Sequence, residues 1–140
     1  MPGGIDRLTG FLASLEEAGL APGPIVEGDF TLRSGTEARR EVLAQNADID
    51  GIFVASDMMA AGAMTVLRSH GLTVPDDVAV VGYDDSAAAL TTDVPLTTVR
   101  QPSESMGVTI ASILMDVLNG VGDHPRLTLL PTELVVRSSA

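Results

Sequence analysis

Two short apolar runs, each stopped by polar residues, constrain the fold of this chain more than any other feature. The first run covers residues 51–55 and stops at 56–57 (SD), and the second covers 78–83 and stops at 84–85 (DD). Buried parallel strands end in this way, because they deliver polar side chains to a crevice at their carboxyl ends. If the two strands are neighbours, their polar ends meet. The sequence therefore predicts an α/β sheet with a polar pocket at one edge.

The rest of the chain alternates helical and strand-like patterns. The predicted helices cover residues 5–20, 34–46, 57–70 and 103–118, with one helical turn at 86–90. The predicted strands cover residues 25–30, 52–55, 78–83, 96–100, 128–130 and 133–137. Strands that alternate with helices indicate a doubly wound, mainly parallel sheet. Because such domains normally begin on a central strand, we expect the first strand to be missing.

Capping residues set the expected helix ends. Ser34 or Thr36 is predicted to cap the second helix, and Ser56 or Asp57 the third, because short polar side chains accept hydrogen bonds from free amides of the first turn. Gly71 is predicted to end the third helix. The residues of that helix expected to face inward are Met59, Ala63, Val66 and Leu67.

Composition excludes several kinds of chemistry. A chain of 140 residues, 45% hydrophobic, fits one domain. Its net charge of −11 makes it a poor nucleic-acid binder on its own. All 8 basic residues are arginine, which excludes a P-loop lysine, Schiff-base chemistry and pyridoxal phosphate attachment. The absence of cysteine excludes disulfides and thiol chemistry but leaves the redox compartment undecided.

Signals for membranes and export are absent from the sequence. No apolar run approaches the ~20 residues that span a bilayer. Residues 1–5 (MPGGI) lack the basic start and the apolar core of an export signal. We therefore expect a cytoplasmic protein with no membrane partner.

A series of motifs carries a family resemblance. In chain order they are 7–11 (RLTGF), 27–30 (EGDF), 54–57 (VASD), 60–64 (AAGAM), 71–78 (GLTVPDDV), 81–85 (VGYDD), 95–102 (PLTTVRQP) and 130–137 (LPTELVVR). Together they extend over nearly the whole chain. On these motifs the chain resembles the C-terminal part of the LacI/GalR family of bacterial transcriptional regulators.

The resemblance implies the C-terminal lobe of a periplasmic-binding-protein-like type I fold, with the first lobe largely missing. Residues 1–100 and 127–140 would form this lobe, and 101–126 would pack on the first lobe. The residues expected on the apolar face of that segment are Met106, Ile110, Ile113, Leu114, Val117 and Leu118. Without the first lobe this face needs another partner, such as a second copy of the chain.

The implied function is effector sensing. Two lobes would close on a small molecule, often a sugar, and closure would alter DNA binding by a helix-turn-helix headpiece that this chain does not contain. The implied partners are therefore the effector, a second subunit in a homodimer, and DNA only through that headpiece. No cofactor is implied, and the protein is predicted not to be an enzyme.

Three candidate ligand-binding residues follow from the resemblance and from side-chain chemistry. Arg7 can bind vicinal hydroxyls or a carboxylate through its planar guanidinium, although it could equally be a solvated helix-start arginine. Phe30 can stack on the apolar face of a sugar or base, although a core phenylalanine is the commoner case. Asp84, the strongest candidate, follows an apolar strand, and a carboxylate accepts two hydroxyl hydrogen bonds.

Two further candidates, Ser56 and Gln101, complete the predicted site. Ser56 matches a polar contact of the family, but it can also serve only as a helix cap. Gln101 matches a contact near the crossover between lobes, and its alternative is a solvent-facing strand end. Asp57 is expected to be structural, and Asp85 is expected to cap the turn that follows it.

Metal and triad chemistry find little support in the sequence. The acidic pair at 84–85 could bind Mg²⁺, but a receiver-like site would add a lysine, so no metal is predicted. A Ser-His-Asp triad would need a histidine near Ser56. His70 lies roughly 20 Å further along a helix and is expected to close that helix, while His124 is expected in a loop.

Three alternative functions remain at this stage. A periplasmic sugar-binding protein of a transport system shares the fold, but the motifs at 95–98 and 133–137 are typical of regulators. An enzyme on a flavodoxin-like fold would have only carboxylate or metal chemistry available. A purely structural oligomerisation module is the third. The sequence does not name the effector, nor does it indicate whether the effector promotes or releases DNA binding.

Overall fold

The computed structural model describes residues 2–45, 49–121 and 127–140. The helices are α1 Pro2–Glu17, α2 Leu32–Gln45, α3 Asp57–Ser69, α4 Ala88–Thr91 and α5 Ser103–Leu118. The strands are β1 Gly51–Phe53, β2 Ala79–Asp84, β3 Thr97–Arg100 and β4 Glu133–Val135.

The four strands form one sheet in the order β1-β2-β3-β4. β1, β2 and β3 run parallel, and β4 pairs antiparallel with β3. Phe53 pairs with Val81, and Asp84 pairs with Arg100, so the first three strands end at one edge of the sheet. This arrangement confirms the predicted α/β class with a mainly parallel sheet.

The core lies between the sheet and α3. The inward face of α3 buries Met59, Ala63, Val66 and Leu67, each no more than 7% exposed, as the helical spacing predicts. Against it pack the buried strand residue Val80 and the neighbouring Val78, Ala89 and Leu96. Apolar burial of this kind contributes about 25 cal/mol per Å², so this layer fixes the position of β2, whose end carries the acidic residues.

The helices α2 and α3 touch backbone to backbone. A Cβ atom added to Gly35 would lie 2.1 Å from the carbonyl oxygen of Met59, and one added to Gly62 would lie 2.2 Å from the carbonyl oxygen of Leu32. Only glycine leaves room for this approach, because any other residue places a carbon atom in the contact. The close packing sets the start of α2 directly against the first two turns of α3.

Both ends of α3 agree with the sequence. Ser56 is the N-cap, and its hydroxyl accepts a hydrogen bond from the Met59 amide at 3.3 Å. At the other end His70 is the C-cap and Gly71 adopts a φ of 75°. The amide of Leu72 then bonds the carbonyl of Leu67, which closes the helix in a Schellman motif.

The cap of α2 lies three residues before Ser34, the nearer of the two predicted caps. The helix begins at Leu32, and the hydroxyl of Thr31 accepts a hydrogen bond from the Ser34 amide at 3.1 Å. Ser34 therefore lies inside the first turn, where its hydroxyl accepts from the Asp29 amide instead. Thr36, the other predicted cap, donates to the Leu32 carbonyl from within the helix.

Two predicted strands do not form. Residues 25–30 and 128–130 run without strand pairing, although their apolar residues have strand-like spacing. A strand needs a neighbour for its backbone hydrogen bonds, and the ladders in the described part of the chain leave β1 at the edge of the sheet. Strand-like composition alone was therefore insufficient at both places.

An apolar groove separates residues 25–28 from β1. It has a volume of about 380 Å³ and is lined on its two long sides by Ile25 and Val26 and by Ile52 and Val54. Arg39 also lines this groove and is 3% exposed. Its Nε and Nη1 atoms have no hydrogen-bond partner among the described residues, and burial lowers its pKa.

The carboxyl terminus is tied into the sheet by Ser139. This fully buried residue accepts a hydrogen bond from the Thr97 amide at 2.8 Å and donates to the Val80 carbonyl at 2.6 Å. The Val80 amide in turn bonds the carbonyl of Ser139. Through these bonds Ser139 links β2 to β3 at the end of the sheet opposite Asp84.

The apolar side chains of α5 remain uncovered. None of its residues is buried, and Ile110, Leu114 and Leu118 are 55–70% exposed. Among the described residues, no helix has the length and apolar character to span a membrane.

Candidate functional site

The carboxyl edge of the sheet gathers most of the predicted site residues. Asp84 ends β2 and pairs in register with Arg100, the last residue of β3. Gln101 follows directly, and its side-chain nitrogen donates to Asp84 Oδ1 at 2.6 Å. Parallel strands bring their carboxyl ends to one edge, which is why residues 17 positions apart in sequence form this contact.

Arg7 reaches the same edge from α1. Its guanidinium Nη2 lies 3.4 Å from Asp84 Oδ1, and its Nη1 donates to the carbonyl of Ala55, which follows β1. The Arg7 side chain is only 15% exposed, and that of Asp84 is 32% exposed. The arginine thus connects the ends of β1 and β2 and is not a solvated helix-start residue.

Burial raises the pKa of Asp84. The Arg7 charge opposes this shift, the nearby Asp57 carboxylate adds to it, and the Gln101 hydrogen bond opposes it; on balance the pKa stays above its usual value. A half-buried carboxylate in this state has a strong requirement for hydrogen-bond donors. Hydroxyl groups of a ligand would meet that requirement.

Phe30 lies on the other side of Arg7. The guanidinium carbon of Arg7 is 5.7 Å from the centroid of the Phe30 ring. The turn that presents this ring is held by Asp29, whose Oδ1 accepts from the Thr31 amide at 3.0 Å. Hydrogen bonds from Thr31 and Ser34 lower the pKa of Asp29 to about 2, so this anchor stays ionised over the physiological range.

Backbone conformation marks the same edge. Phe30 (φ 67°), Asp84 (φ 123°) and Asp85 (φ 55°) are the non-glycine residues with positive φ in the described part of the chain. Such conformations cost of order 1–3 kcal/mol each and concentrate at functional sites. Here two of them belong to predicted ligand-binding residues.

Ser56 lies beside this cluster with its side chain buried. It is 2% exposed, and its hydroxyl oxygen is occupied as the cap of α3. Its neighbour Ala55 supplies the carbonyl that binds Arg7. The structure therefore brings Arg7, Phe30, Asp84 and Gln101 into a chain of contacts but shows no contact from Ser56 to them, and its ligand-binding role stays a prediction.

Asp57 holds together the backbone segments that carry the site, in agreement with its expected structural role. It is fully buried, and its two oxygens accept from the Thr98 hydroxyl at 2.6 Å and from the Ser86 amide at 2.7 Å. A Cβ atom on Gly82 would lie 2.6 Å from Asp57 Oδ1. This carboxylate thus holds the turn after β2 against β3 and fixes the backbone that carries Asp84.

The expectation that Asp85 caps the following turn is wrong. Its two oxygens bind Arg100 Nε at 2.6 Å and Arg137 Nη2 at 2.5 Å, and α4 has no side-chain cap. Burial raises the pKa of Asp85, but the hydrogen bonds and charges of the two arginines outweigh burial and hold the pKa below its usual value. The reason for the error is long-range, because Arg137 lies 52 positions away in sequence.

A cavity of about 480 Å³ opens at the cluster and is lined by Arg7, Tyr83 and Gln101. Of the predicted site residues, Arg7 and Gln101 line this cavity, and Phe30 lines the apolar groove beside β1. Asp84 lines neither but contacts both Arg7 and Gln101. Tyr83 was missed as a site residue. The only signal for it was its place as the last residue before Asp84 at the end of the strand.

The histidines and metal ligands add little to this site. His70 caps α3, with its Nδ1 2.9 Å from the Val66 carbonyl oxygen, in agreement with its predicted structural role. His124 lies outside the described residues. Within residues 2–45, 49–121 and 127–140, no group of three or more histidine, cysteine or acidic side chains is arranged to hold a metal ion.

Comparison with known protein families decides the affiliation. Residues 2–140 match the periplasmic binding protein-like domain. The chain belongs to this family. Members of the family that resemble it in sequence include the HTH-type transcriptional regulator CelR of Thermobifida fusca, 44% identical over 99% of this chain and 42% of that protein. The HTH-type transcriptional repressor PurR of Pasteurella multocida is 33% identical over 95% of this chain and 40% of that protein.

Solved structures give the same result. The periplasmic binding protein-like fold of this chain superposes on a CelR–cellobiose complex with a TM-score of 0.94, at 44% identity over 98% of this chain and 42% of the other. It superposes on the Lac repressor bound to ONPG with a TM-score of 0.89, at 31% identity over 99% and 42% of the two chains. The resemblance to LacI-type effector domains is confirmed.

These relatives are transcriptional regulators, which favours the regulator prediction over a transport protein. The chain spans about 42% of the length of CelR.

Proposed function

We propose that this chain is the C-terminal effector-binding lobe of a LacI-type transcriptional regulator and that its effector is a sugar. The single observation that supports this proposal best is the contact chain Gln101–Asp84–Arg7–Phe30 at the carboxyl edge of the sheet. It combines a carboxylate, an amide, a guanidinium and an aromatic ring at one edge of the sheet.

The chemistry of this surface suits a neutral, hydroxylated ligand. The Asp84 carboxylate accepts hydrogen bonds from hydroxyl groups, while Arg7 and the Gln101 amide donate them. Because Arg7 balances the charge of Asp84 at 3.4 Å, the pair has no excess charge to attract an ionic ligand. The Phe30 ring offers the apolar contact that the CH face of a sugar ring prefers.

A disaccharide is the first candidate effector. The 44% identical CelR was solved as a cellobiose complex, and cellobiose has the hydroxyl-rich edges and apolar faces that these side chains match. Purines and other small molecules remain alternatives within the same proposal of a small-molecule effector. No bond is made or broken at the site, so the function is recognition.

The proposed mechanism is a population shift. Effector would bind this lobe and the first lobe better in their closed arrangement than in the open one. The difference in affinity would bias a homodimer and its DNA-binding headpiece. Ser56 is proposed to line the site as a polar contact. Residues 101–126 are proposed to pack on the first lobe, which would cover the exposed face of α5.

Isothermal titration calorimetry of the full-length protein with cellobiose tests the proposal. We expect saturable binding that Asp84→Ala abolishes, together with loss of the effector response in an operator-binding assay while DNA binding itself survives. Asp76→Ala is the matched control, since Asp76 is an exposed acid in the loop before β2. Retained cellobiose binding in Asp84→Ala would overturn the site assignment. Wild-type protein that binds no member of a panel of sugars would overturn the effector class.

A further inference from the structure

The guanidinium of Arg7 is stacked on the ring of Tyr83. Its central carbon lies 3.9 Å from the Tyr83 ring centroid, closer than the 5.7 Å to Phe30. A guanidinium over an aromatic face at this distance is attracted by the ring quadrupole. The contact is strengthened by the partial burial of Arg7, whose side chain is 15% exposed.

The ring restricts an otherwise flexible side chain. Arginine has a long stem with several rotatable bonds, and fixing such a side chain costs rotamer entropy. Contact with the ring restricts where the guanidinium can lie. In its observed position Nη1 donates to the Ala55 carbonyl and Nη2 faces Asp84.

Tyr83 itself is held rigidly. It lies within β2, which has paired strands on both sides, and it pairs in register with Val99 of β3. Its backbone neighbour Gly82 is packed against Asp57 and Leu96. The backbone that carries the ring is therefore held by the sheet, whereas Arg7 comes from α1, a helix whose residues are largely exposed.

We propose that Tyr83 is a positioning residue of the effector site: its ring orients the Arg7 guanidinium for ligand binding, and its hydroxyl group is dispensable. The proposal rests on the proposed function, since it takes Arg7 as a ligand-binding residue. It adds a residue and a role that neither the motif comparison nor the charge pattern assigns.

A set of Tyr83 variants tests the role of the ring. Cellobiose dissociation constants are measured by calorimetry on the full-length protein. We expect Tyr83→Phe to bind like the wild type, because it keeps the ring. Tyr83→Leu removes the ring and should weaken binding by about 3- to 10-fold, the range that corresponds to a partly buried cation–π contact. Tyr83→Met replaces Tyr83→Leu if thermal unfolding shows that the leucine variant is unfolded.

A double-mutant cycle with Arg7→Met separates positioning from direct contact. If Tyr83 acts through Arg7, Tyr83→Leu has no further effect in the Arg7→Met background, and the two effects are non-additive. Additive effects would overturn the proposal, because Tyr83 would then contact the ligand or act on the fold. Weaker binding by Tyr83→Phe would overturn it as well, because the hydroxyl group would then be required.

A ligand-free measurement keeps this proposal separate from the effector assignment. In nuclear magnetic resonance spectra, the guanidinium protons of Arg7 should be shifted upfield by the ring in the wild type and in Tyr83→Phe. That shift should be lost in Tyr83→Leu. If the wild type binds no sugar but the shift follows this pattern, the proposed effector is wrong while the orientation of Arg7 by Tyr83 stands. An Arg7 spectrum unchanged in Tyr83→Leu would overturn the positioning role directly.

Discussion

Asp84 and Asp85 are adjacent in sequence, yet their pKa values are shifted in opposite directions. Asp84 contacts Arg7 and Gln101, and burial without full compensation raises its pKa. Asp85 is bracketed by Arg100 and Arg137, whose hydrogen bonds and charges outweigh burial and lower its pKa. Two carboxylates whose surroundings separate their pKa values have different tasks. Here Asp84 is the carboxylate proposed to bind the effector, while Asp85 ties β3 and the C-terminal segment to the end of β2.

Asp84→Asn should stabilise the protein at neutral pH. Because the folded state raises the pKa of Asp84, folding favours the protonated carboxyl, and its ionisation lowers the free energy of unfolding as pH rises through that pKa. Asparagine is neutral at every pH. Urea unfolding should therefore show a gain for Asp84→Asn at pH 7 that vanishes below about pH 3, where the wild-type carboxyl is protonated as well. A gain that persists at that pH would contradict the ionisation argument, and Asp76→Asn should show no gain at either pH.

Asp85→Asn should have the opposite effect. The lowered pKa of Asp85 means that its ionised form stabilises the folded state above the ordinary aspartate pKa, and that this contribution is lost as pH falls through the lowered value. We expect the variant to lose about 2 kcal/mol of unfolding free energy at pH 7, the usual size for hydrogen bonds to a charged group. Urea unfolding from pH 7 to pH 2 should show the two proteins converging in acid. A constant difference would instead indicate a packing defect.

Sequence patterns predicted the individual residues of the candidate site only in part. The position of Asp84 was predictable because parallel strands end at a common edge, whereas Arg7 and Gln101 were proposed from the family motif. Tyr83 was not predicted as a site residue, because its proposed role depends on the guanidinium of Arg7. That residue belongs to α1 and lies 76 positions earlier in the chain. The partners of Asp85 were missed for the same reason, since no local pattern brings Arg137 to it.

At the scale of elements, contact between α2 and α3 determines how the site is supported. Gly35 and Gly62 let the two helix backbones meet, and a Cβ atom at either position would overlap carbonyl oxygens of the other helix. The overlapped atoms belong to backbone, which cannot rotate away as a side chain can. The position of α2, and with it the turn that presents Phe30, therefore depends on these glycines.

Gly35→Ala should destabilise the protein by about 1–3 kcal/mol, the usual cost of overpacking, measured by urea unfolding. It should also weaken effector binding, because α2 must shift and carries the Phe30 turn with it. Gly10→Ala is the matched control: it lies inside α1 with no atom within 4 Å of the added carbon, and it should stabilise the protein by about 0.5–1 kcal/mol. Equal effects of the two substitutions would show that the contact between α2 and α3 is looser than described.

The helices were easier to predict than the strands for a physical reason. A helix forms its backbone hydrogen bonds within itself, so the spacing of apolar residues and a capping residue are sufficient to locate α3. A strand depends on a neighbour that the local sequence does not specify. The segment 25–30 has strand-like composition but borders the apolar groove beside β1, and it stays unpaired.

At the scale of the whole molecule, the chain divides into a packed part and an uncovered helix. The first part contains the sheet with α2, α3 and α4 and all of the buried apolar core. The second is α5, which has a continuous apolar surface and no buried residue. A helix of this length has only marginal stability in water without tertiary contacts. The division between residues 1–100 and 101–126 stays a proposal that this difference in packing supports.

Hydrogen exchange of the 140-residue chain tests that division. In dilute solution we expect amides of α5 to exchange roughly 100-fold faster or more than those of α3, because opening α5 exposes no core while opening α3 exposes the whole core. The α3 amides are the internal reference. Protection of α5 that increases with protein concentration would identify a second copy of the chain as its cover. Protection equal to that of α3 at every concentration would contradict the division, because α5 would then belong to the same cooperative unit as the sheet.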